Sequence, residues 1–157
     1  MKKILMATLL ATGMALSTPA AAQDAATSAA AQESAYTPGG YWNVQGIYLE
    51  DGQFENYMDY VAGNYRRSQD FARRSGWITG YTILANVNRR EDEPHLYLIT
   101  EMSRLATPQE EVERERRLND HMRQTTREAT EGSGRRVTMR RLGSNLLLQE
   151  LNLRPAR

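Results

Sequence analysis

The fold of this chain is decided by residues 77–102, WITGYTILANVNRREDEPHLYLITEM. This stretch predicts two β-strands, Trp77 to Val87 and His95 to Met102, joined by a charged loop over residues 88–94. In both strands the two alternating sets of side chains are largely apolar, whereas a sheet with one face in water needs only one apolar set. We therefore expect both faces of this sheet to be covered, one by helices and the other by something else.

A helix is predicted on each side of this pair of strands. From residue 54 to residue 72, apolar or small side chains recur at helical spacing along one stripe, and Ser75-Gly76 suits a left-handed helix end. The second helix is predicted to begin at Thr107-Pro108-Gln109-Glu110, which is a capping box with proline at the first helical position. We expect it to run to about Thr130 and to end at Gly132-Ser133-Gly134.

Two further strands complete the domain. Residues 41–49 are aromatic and β-branched, and residues 136–142 and 145–153 carry several apolar side chains, with Gly46 and Gly143 as predicted bulges. The order β-α-β-β-α-β predicts an α+β, ferredoxin-like fold with two helices on one face of a four-stranded antiparallel sheet. The other face is bare in a monomer and is apolar here, so we expect a second copy of the chain to cover it.

The N-terminal residues predict export. Lys2-Lys3, an apolar run over residues 4–16 and Ala20-Ala21-Ala22 form the pattern of a signal peptide over residues 1–22, cleaved after Ala22. We therefore expect a periplasmic or secreted protein, without stable membrane insertion because the apolar run is shorter than the roughly 20 residues that cross a bilayer. Residues 23–40 are predicted to be a flexible tether, and residues 41–153 the folded domain.

Composition excludes several classes of function. Both lysines lie in the predicted leader, so the remaining chain has 18 arginines against 19 acidic residues and a formal net charge of −1. This balance gives no general attraction to nucleic acid or to an anionic membrane. The chain has no cysteine, which excludes disulfides, thiolate nucleophiles and cysteine-based metal sites. His95 and His121 lack metal-ligand spacing, and no nucleotide-binding motif is present, so we predict neither a metal nor a cofactor.

The chain resembles the dimeric α/β-barrel superfamily, as in antibiotic-biosynthesis-type monooxygenases and EthD-like proteins. The resemblance rests on the element order, the long aromatic first helix over residues 54–75, the Gly76-Trp77 entry to the second strand and the two-sided strands. It covers roughly residues 41–153 and implies a homodimer with a small-molecule pocket between the helices and the sheet of each protomer. The haem-degrading members use a histidine, an asparagine and a strand-three tryptophan. Here His121 and Asn43 match the first two types but strand three has no tryptophan, so those roles are not carried over.

The candidate site combines an aromatic pocket with a carboxylate. The ligand-binding candidates are Trp42, Tyr57, Tyr60, Phe71, Trp77, Tyr81, Tyr97 and Asn119. The same aromatic spacing also suits an ordinary core or a dimer contact. Glu115 falls in or beside the apolar stripe of the second helix, where burial would raise its pKa and suit it to act as a general base; His121 is the other catalytic candidate. In the alternative interpretation Glu115 reaches solvent or pairs with an arginine such as Arg140 or Arg141.

Three functions remain open at this point. The favoured one is an exported protein that binds a small hydrophobic or aromatic molecule. The alternatives are a cofactor-independent oxygenase or isomerase acting on such a molecule, and a non-catalytic dimeric interaction protein. Arg66 and Arg73 lie two turns apart and could hold an anion, but the acids between the arginines favour solvated ion pairs. A cavity between the helices and the sheet would favour the first two functions over the third. An ionisable group within hydrogen-bond reach of a bound ligand would favour the enzyme over the binding protein.

Overall fold

The computed structural model describes residues 34–155 of the chain. The elements are β1 (Tyr36–Leu49), α1 (residues 54–74), β2 (Gly80–Ala85), β3 (Leu96–Met102), α2 (Pro108–Met122), α3 (Thr126–Arg135), a 3-10 turn (Arg136–Thr138) and β4 (Arg140–Leu153). The α+β class and the order β-α-β-β-α-β are confirmed, with one helix more than expected in the second helical region. The predicted signal peptide, its cleavage after Ala22 and the tether up to residue 33 lie outside the described residues.

The strands form one antiparallel sheet in the order β2-β3-β1-β4. Strand β1 lies in its centre and pairs with β3 from Tyr41 opposite Met102 to Ile47 opposite Leu96. It begins at Tyr36, earlier than the predicted start at residue 41, because Tyr36 pairs with Leu153 at the far end of β4. The long edge strand β4 therefore extends the sheet into residues that the composition alone assigned to the tether.

A bulge between β1 and β4 lies where the sequence places two glycines. Gln45 pairs with Asn145 and Ile47 pairs with Leu142, so β4 has one more residue than β1 in this interval. A Cβ on Gly143 would lie 2.6 Å from the Tyr48 ring, which leaves no room for a side chain there. The predicted bulge is confirmed, and glycine suits position 143 because the Tyr48 ring lies so close to it.

The core lies between α1 and one face of the sheet. Tyr57 and Val61 of α1 pack against Ile47 of β1 and against Leu96 and Leu98 of β3, and all five are buried. Because Ile47 faces Leu96 in the antiparallel register, these strand residues share one face. Burial of their apolar surface is the main contribution to the stability of the domain.

Helix α1 is interrupted by a wider turn. Phe54–Tyr60 and Arg66–Arg74 are α-helical, and Val61–Tyr65 between them is a π-helix. A π turn changes the phase of the helix, so the residues after it point in directions that a regular period of 3.6 does not predict. Asn64 within the turn and Ser68 after it line one cavity of the molecule, and Gln69 and Ala72 line another.

The second predicted helix is two helices in the structure. Helix α2 begins at the predicted capping box of Thr107 and Glu110, and it ends because Arg123 adopts a left-handed conformation with φ of 54°. Helix α3 then begins at a second capping box formed by Thr125 and Glu128. It continues through residues 132–134, where the glycines were expected to end the helix. The prediction of one helix to about Thr130 was wrong because no glycine marks the left-handed position.

The face of the sheet opposite the core is apolar and exposed. Its side chains include Trp42 of β1, Leu84 of β2, and Leu146 and Leu148 of β4, which are 38 to 49% exposed. Both faces of the sheet are thus apolar, as the alternation in the sequence predicts. In the described part of the chain, no helix has the length and hydropathy required to span a bilayer.

Candidate functional site

One cavity lies between the helices and the sheet, where the sequence predicted a pocket. We call it the helix–sheet cavity. Its volume is about 540 Å³, a size typical of pockets that bind small molecules. It is bounded by the second half of α1, by α2 and by the end of β3. Its lining residues are Gln69, Ala72, Trp77, Ile78, Thr100, Met102, Glu111, Val112, Arg114, Glu115 and Leu118. The side chains of Ala72, Ile78, Met102 and Leu118 supply apolar lining, and charged groups also contribute.

Trp77 joins this cavity to an aromatic cluster. Its ring meets Phe71 edge-on, with 5.2 Å between ring centroids, and Phe71 stacks on His121 at 4.3 Å. The guanidinium groups of Arg114 and Arg117 lie 5.8 and 5.1 Å from the Trp77 ring centroid. These contacts hold the indole between α1 and α2. Phe71 and His121 are therefore close to Trp77, but neither lines the cavity itself.

Glu115 lines the cavity and also belongs to a hydrogen-bonded network. The Thr126 hydroxyl donates to Glu115 Oε1 at 3.1 Å, and Asn119 Nδ2 donates to the same threonine oxygen at 3.1 Å. Gln124 Nε2 in turn donates to Asn119 Oδ1 at 3.2 Å. Glu115 is exposed rather than enclosed in an apolar wall, and in the described chain it makes no ion pair with Arg140 or Arg141. Glu115 and Asn119 thus fix the turn between α2 and α3.

Three tyrosines on the helix side of the sheet, Tyr57, Tyr65 and Tyr81, have raised pKa values. Burial raises the pKa of Tyr65 to about 12, against an opposing hydrogen bond with Thr100. Burial also raises the pKa of Tyr57, and the pKa of Tyr81 is raised by burial and by its hydrogen bond to Asp70. Neutral phenols donate hydrogen bonds but are poor general bases at physiological pH. These three tyrosines are therefore not candidates for a general base.

The remaining predicted ligand-binding residues are dispersed. Tyr57 is only 1% exposed and belongs to the core. Tyr81 donates to Asp70 Oδ1 at 2.9 Å and packs edge-on against Tyr65. Trp42 and Tyr97 share the face of the sheet opposite the core, because Trp42 pairs with Glu101 and Gly46 pairs with Tyr97 in the β1–β3 ladder. The structure therefore brings Trp77 and Glu115 to one cavity and leaves most of the other candidates outside it.

A second cavity contains residues that the sequence did not single out as a site. We call it the arginine cavity; it has a volume of about 440 Å³ and lies between α1 and α3. Its lining residues are Tyr60, Asn64, Ser68, Met122, Gln124, Glu128, Ala129, Gly132, Arg135, Arg136 and Met139. Of the predicted pocket residues only Tyr60 lies here, with the Arg136 guanidinium 4.2 Å from its ring centroid. The only signal in the sequence was the Arg135-Arg136 doublet, which looks the same as five other arginine doublets.

Residues 34–155 contain no group of three or more histidine, aspartate or glutamate side chains arranged to hold a metal ion.

Comparison with known proteins gives no match, since no model of a protein family, no curated protein and no solved structure is significantly similar to the chain.

Proposed function

We propose that this chain is an exported protein that binds a small hydrophobic or aromatic molecule in the helix–sheet cavity. The observation that carries the proposal is the combination of Trp77, Ile78, Met102 and Leu118 around a space of about 540 Å³. Apolar walls with a few polar groups are typical of sites for small organic ligands. The leader over residues 1–22 supports export to the periplasm or the medium.

The wider architecture is also part of the proposal. The sheet order and the position of α1 support a ferredoxin-like fold of the dimeric α/β-barrel type. In that arrangement a second copy covers the exposed apolar face that includes Trp42, Leu84 and Leu148. The net charge of −1 after removal of the leader offers little repulsion between two copies. A non-catalytic dimeric interaction protein remains the alternative in which this surface, rather than the cavity, is the functional feature.

Catalysis is a second candidate function, favoured by the position of one carboxylate. Glu115 lines the same cavity as Trp77, so it lies on the wall that a bound ligand would contact. A cofactor-independent oxygenase or isomerase would use it as the base that removes a proton from the substrate. His121, the other predicted catalytic residue, stacks on Phe71 and does not line this cavity.

Binding of N-phenyl-1-naphthylamine, a neutral apolar fluorescent probe, tests the helix–sheet cavity. Val112 lines the cavity and is 71% exposed, so Val112→Trp adds bulk at its mouth without disturbing the core. We expect probe affinity to fall by about fivefold or more, as one blocked apolar contact of about 1 kcal/mol implies. Val87→Trp, at a loop position that is 97% exposed, should leave affinity unchanged.

A variant of Glu115, tested for both probe affinity and turnover, separates the binding protein from the enzyme. Glu115→Gln preserves the shape of the cavity and should change probe affinity by no more than a few-fold if the residue serves the α2–α3 turn. Loss of turnover on an identified substrate in this variant, with the fold intact, would favour the enzyme. Absence of saturable probe binding to the unmodified protein, or equal affinities for the two tryptophan variants, would count against the helix–sheet cavity as a binding site.

A further inference from the structure

Two arginine side chains converge on one glycine in the arginine cavity. A Cβ built on Gly132 would lie 3.6 Å from Arg136 Nη1 and 3.7 Å from Arg135 Nη2. Both guanidinium groups therefore approach the same point on α3, although like charges repel each other. The absence of a side chain at Gly132 leaves this point open to the cavity.

These two charges have no carboxylate partner in the described part of the chain. All ion pairs found there within 4.0 Å involve other arginines, such as Arg104 with Glu110 and Arg116 with Glu113. The Nε atom of Arg136 is buried and has no hydrogen-bond partner among residues 34–155. A buried donor without a partner is costly, so native sites usually supply an acceptor for it.

A third arginine reinforces the positive charge nearby. Arg140 is 7% exposed, and its Nε atom is also buried without a hydrogen-bond partner in the part of the chain that the structure describes. Its Nη2 atom lies 3.5 Å from the Ser133 hydroxyl oxygen, and its guanidinium also interacts with the Tyr57 hydroxyl. Both partners are neutral, so the positive charge of this region is not cancelled by its surroundings.

The rest of the cavity is compatible with a polar ligand. Asn64, Ser68 and Gln124 contribute uncharged polar side chains to its lining. The carboxylate in the lining is that of Glu128, which accepts hydrogen bonds from the Thr125 backbone N–H at 2.7 Å and from its hydroxyl at 3.0 Å. Glu128 is thus engaged in capping α3 and makes no ion pair with Arg135 or Arg136 within 4.0 Å in the region that the structure describes.

We propose that the arginine cavity binds a small organic phosphate monoester, with its phosphate group over Gly132 between Arg135 and Arg136. A phosphate monoester carries close to two negative charges on one compact group, which matches two guanidinium groups that meet at one point. The organic part of the ligand lies in the remaining space beside Tyr60 and Met139. This site is separate from the helix–sheet cavity, so the two proposals stand or fall independently.

Isothermal titration of the purified exported protein with phenyl phosphate tests this site. Arg135 is exposed, so Arg135→Gln removes one charge without opening the core. We expect it to weaken binding about tenfold, the usual effect of losing one charge-assisted hydrogen bond. Arg66→Gln is the matched control, because Arg66 is exposed and its contact is with Asp70. It should leave the affinity within about twofold.

Gly132→Ala distinguishes a binding role from a structural one. Alanine favours a helix over glycine, so the melting temperature of this variant should not fall. Its methyl group would occupy the point where the two guanidinium groups meet, and phenyl phosphate should bind about fivefold or more weakly. The proposal is overturned if the unmodified protein shows no saturable heat with millimolar phenyl phosphate, if Gly132→Ala and Arg135→Gln bind it normally, or if Arg66→Gln weakens binding as much as Arg135→Gln.

Discussion

At the scale of single residues, His95 shows how the fold selects a protonation state. Its Nδ1 atom accepts a hydrogen bond from the Leu49 backbone N–H at 3.0 Å, and its own backbone N–H donates to the Ile47 carbonyl at 2.8 Å. A ring nitrogen that accepts cannot carry a proton. Burial and the charge of Arg89 lower the pKa of His95, with a smaller opposing effect from Asp51.

This lowered pKa predicts a loss of stability in mild acid. The unfolded chain binds a proton on His95 near pH 6.5, whereas the folded chain binds it only at lower pH. The free energy of unfolding should therefore be highest above about pH 6.5 and should fall as the pH drops below that value towards the folded pKa. His95→Asn keeps an acceptor for Leu49 N–H but does not titrate.

Urea unfolding at about pH 7.5 and about pH 5 measures the effect. The difference in unfolding free energy between the two conditions should be smaller in His95→Asn than in the unmodified protein. If the variant loses as much stability as the unmodified protein between the two conditions, titration of His95 does not contribute.

At the scale of elements, a left-handed residue and two capping boxes divide the second helical region. Arg123 has φ of 54°, a conformation that costs roughly 1 kcal/mol for a residue with a Cβ and little for glycine. Its position lets the Gln124 backbone N–H donate to the Asn119 carbonyl at 3.0 Å, which completes the end of α2. The break then allows α3 to reach the arginine cavity.

Replacement of arginine by glycine should affect stability differently at the break and within α2. Arg123→Gly relieves the left-handed strain, so the free energy of unfolding should stay constant or rise by up to about 1 kcal/mol. Arg117→Gly, in the middle of α2, should lower it by about 1 kcal/mol or more, because glycine disfavours a helix and the contact of Arg117 with the Trp77 ring is lost. Chemical denaturation of both variants provides the measurement, and a destabilised Arg123→Gly would contradict the assigned conformation.

At the scale of the whole molecule, the exposed apolar face of the sheet is the main feature left unexplained by a single chain. Two leucines of β4 on this face, Leu146 and Leu148, are 47 and 49% exposed. Strand β4 is also an edge strand, with one side of its backbone outside the ladder. Exposed apolar surface of this extent is typical of a protein–protein interface.

Leu148→Arg tests the proposed homodimer. A guanidinium at this position would be buried without a partner in each copy, so the variant should be monomeric while its circular dichroism remains that of the folded chain. Leu105→Arg is the control, since Leu105 is similarly exposed but lies in the loop before α2. Sedimentation of the unmodified protein as a monomer at tens of micromolar, or of Leu148→Arg as a dimer, would refute the interface.

Much of the fold could be predicted because its signals are local. Alternating apolar residues at 96–102 and the capping box at Thr107 are each read from a few neighbours in the chain, and both appear as predicted. The candidate site was less predictable. Trp77 and Glu115 do line one cavity, but Trp42 lies on the opposite face of the sheet and Tyr57 is in the core. The spacing of aromatic residues along a helix or strand does not reveal on which side of that element a cavity will form.

The sequence by itself determined the strands, their two apolar faces and the order of the elements, because hydrophobic period and capping are properties of neighbouring residues. Only the tertiary structure decided where α1 changes phase, where α2 ends and which arginines meet. Arg135 and Arg136 form one of six arginine doublets in the chain. They differ from Arg66-Arg67 because α3 turns them towards the same glycine in a cavity, whereas Arg66 pairs with Asp70 on its own helix. Whether a charge is compensated depends on distances through space, and those are fixed only when the helices pack.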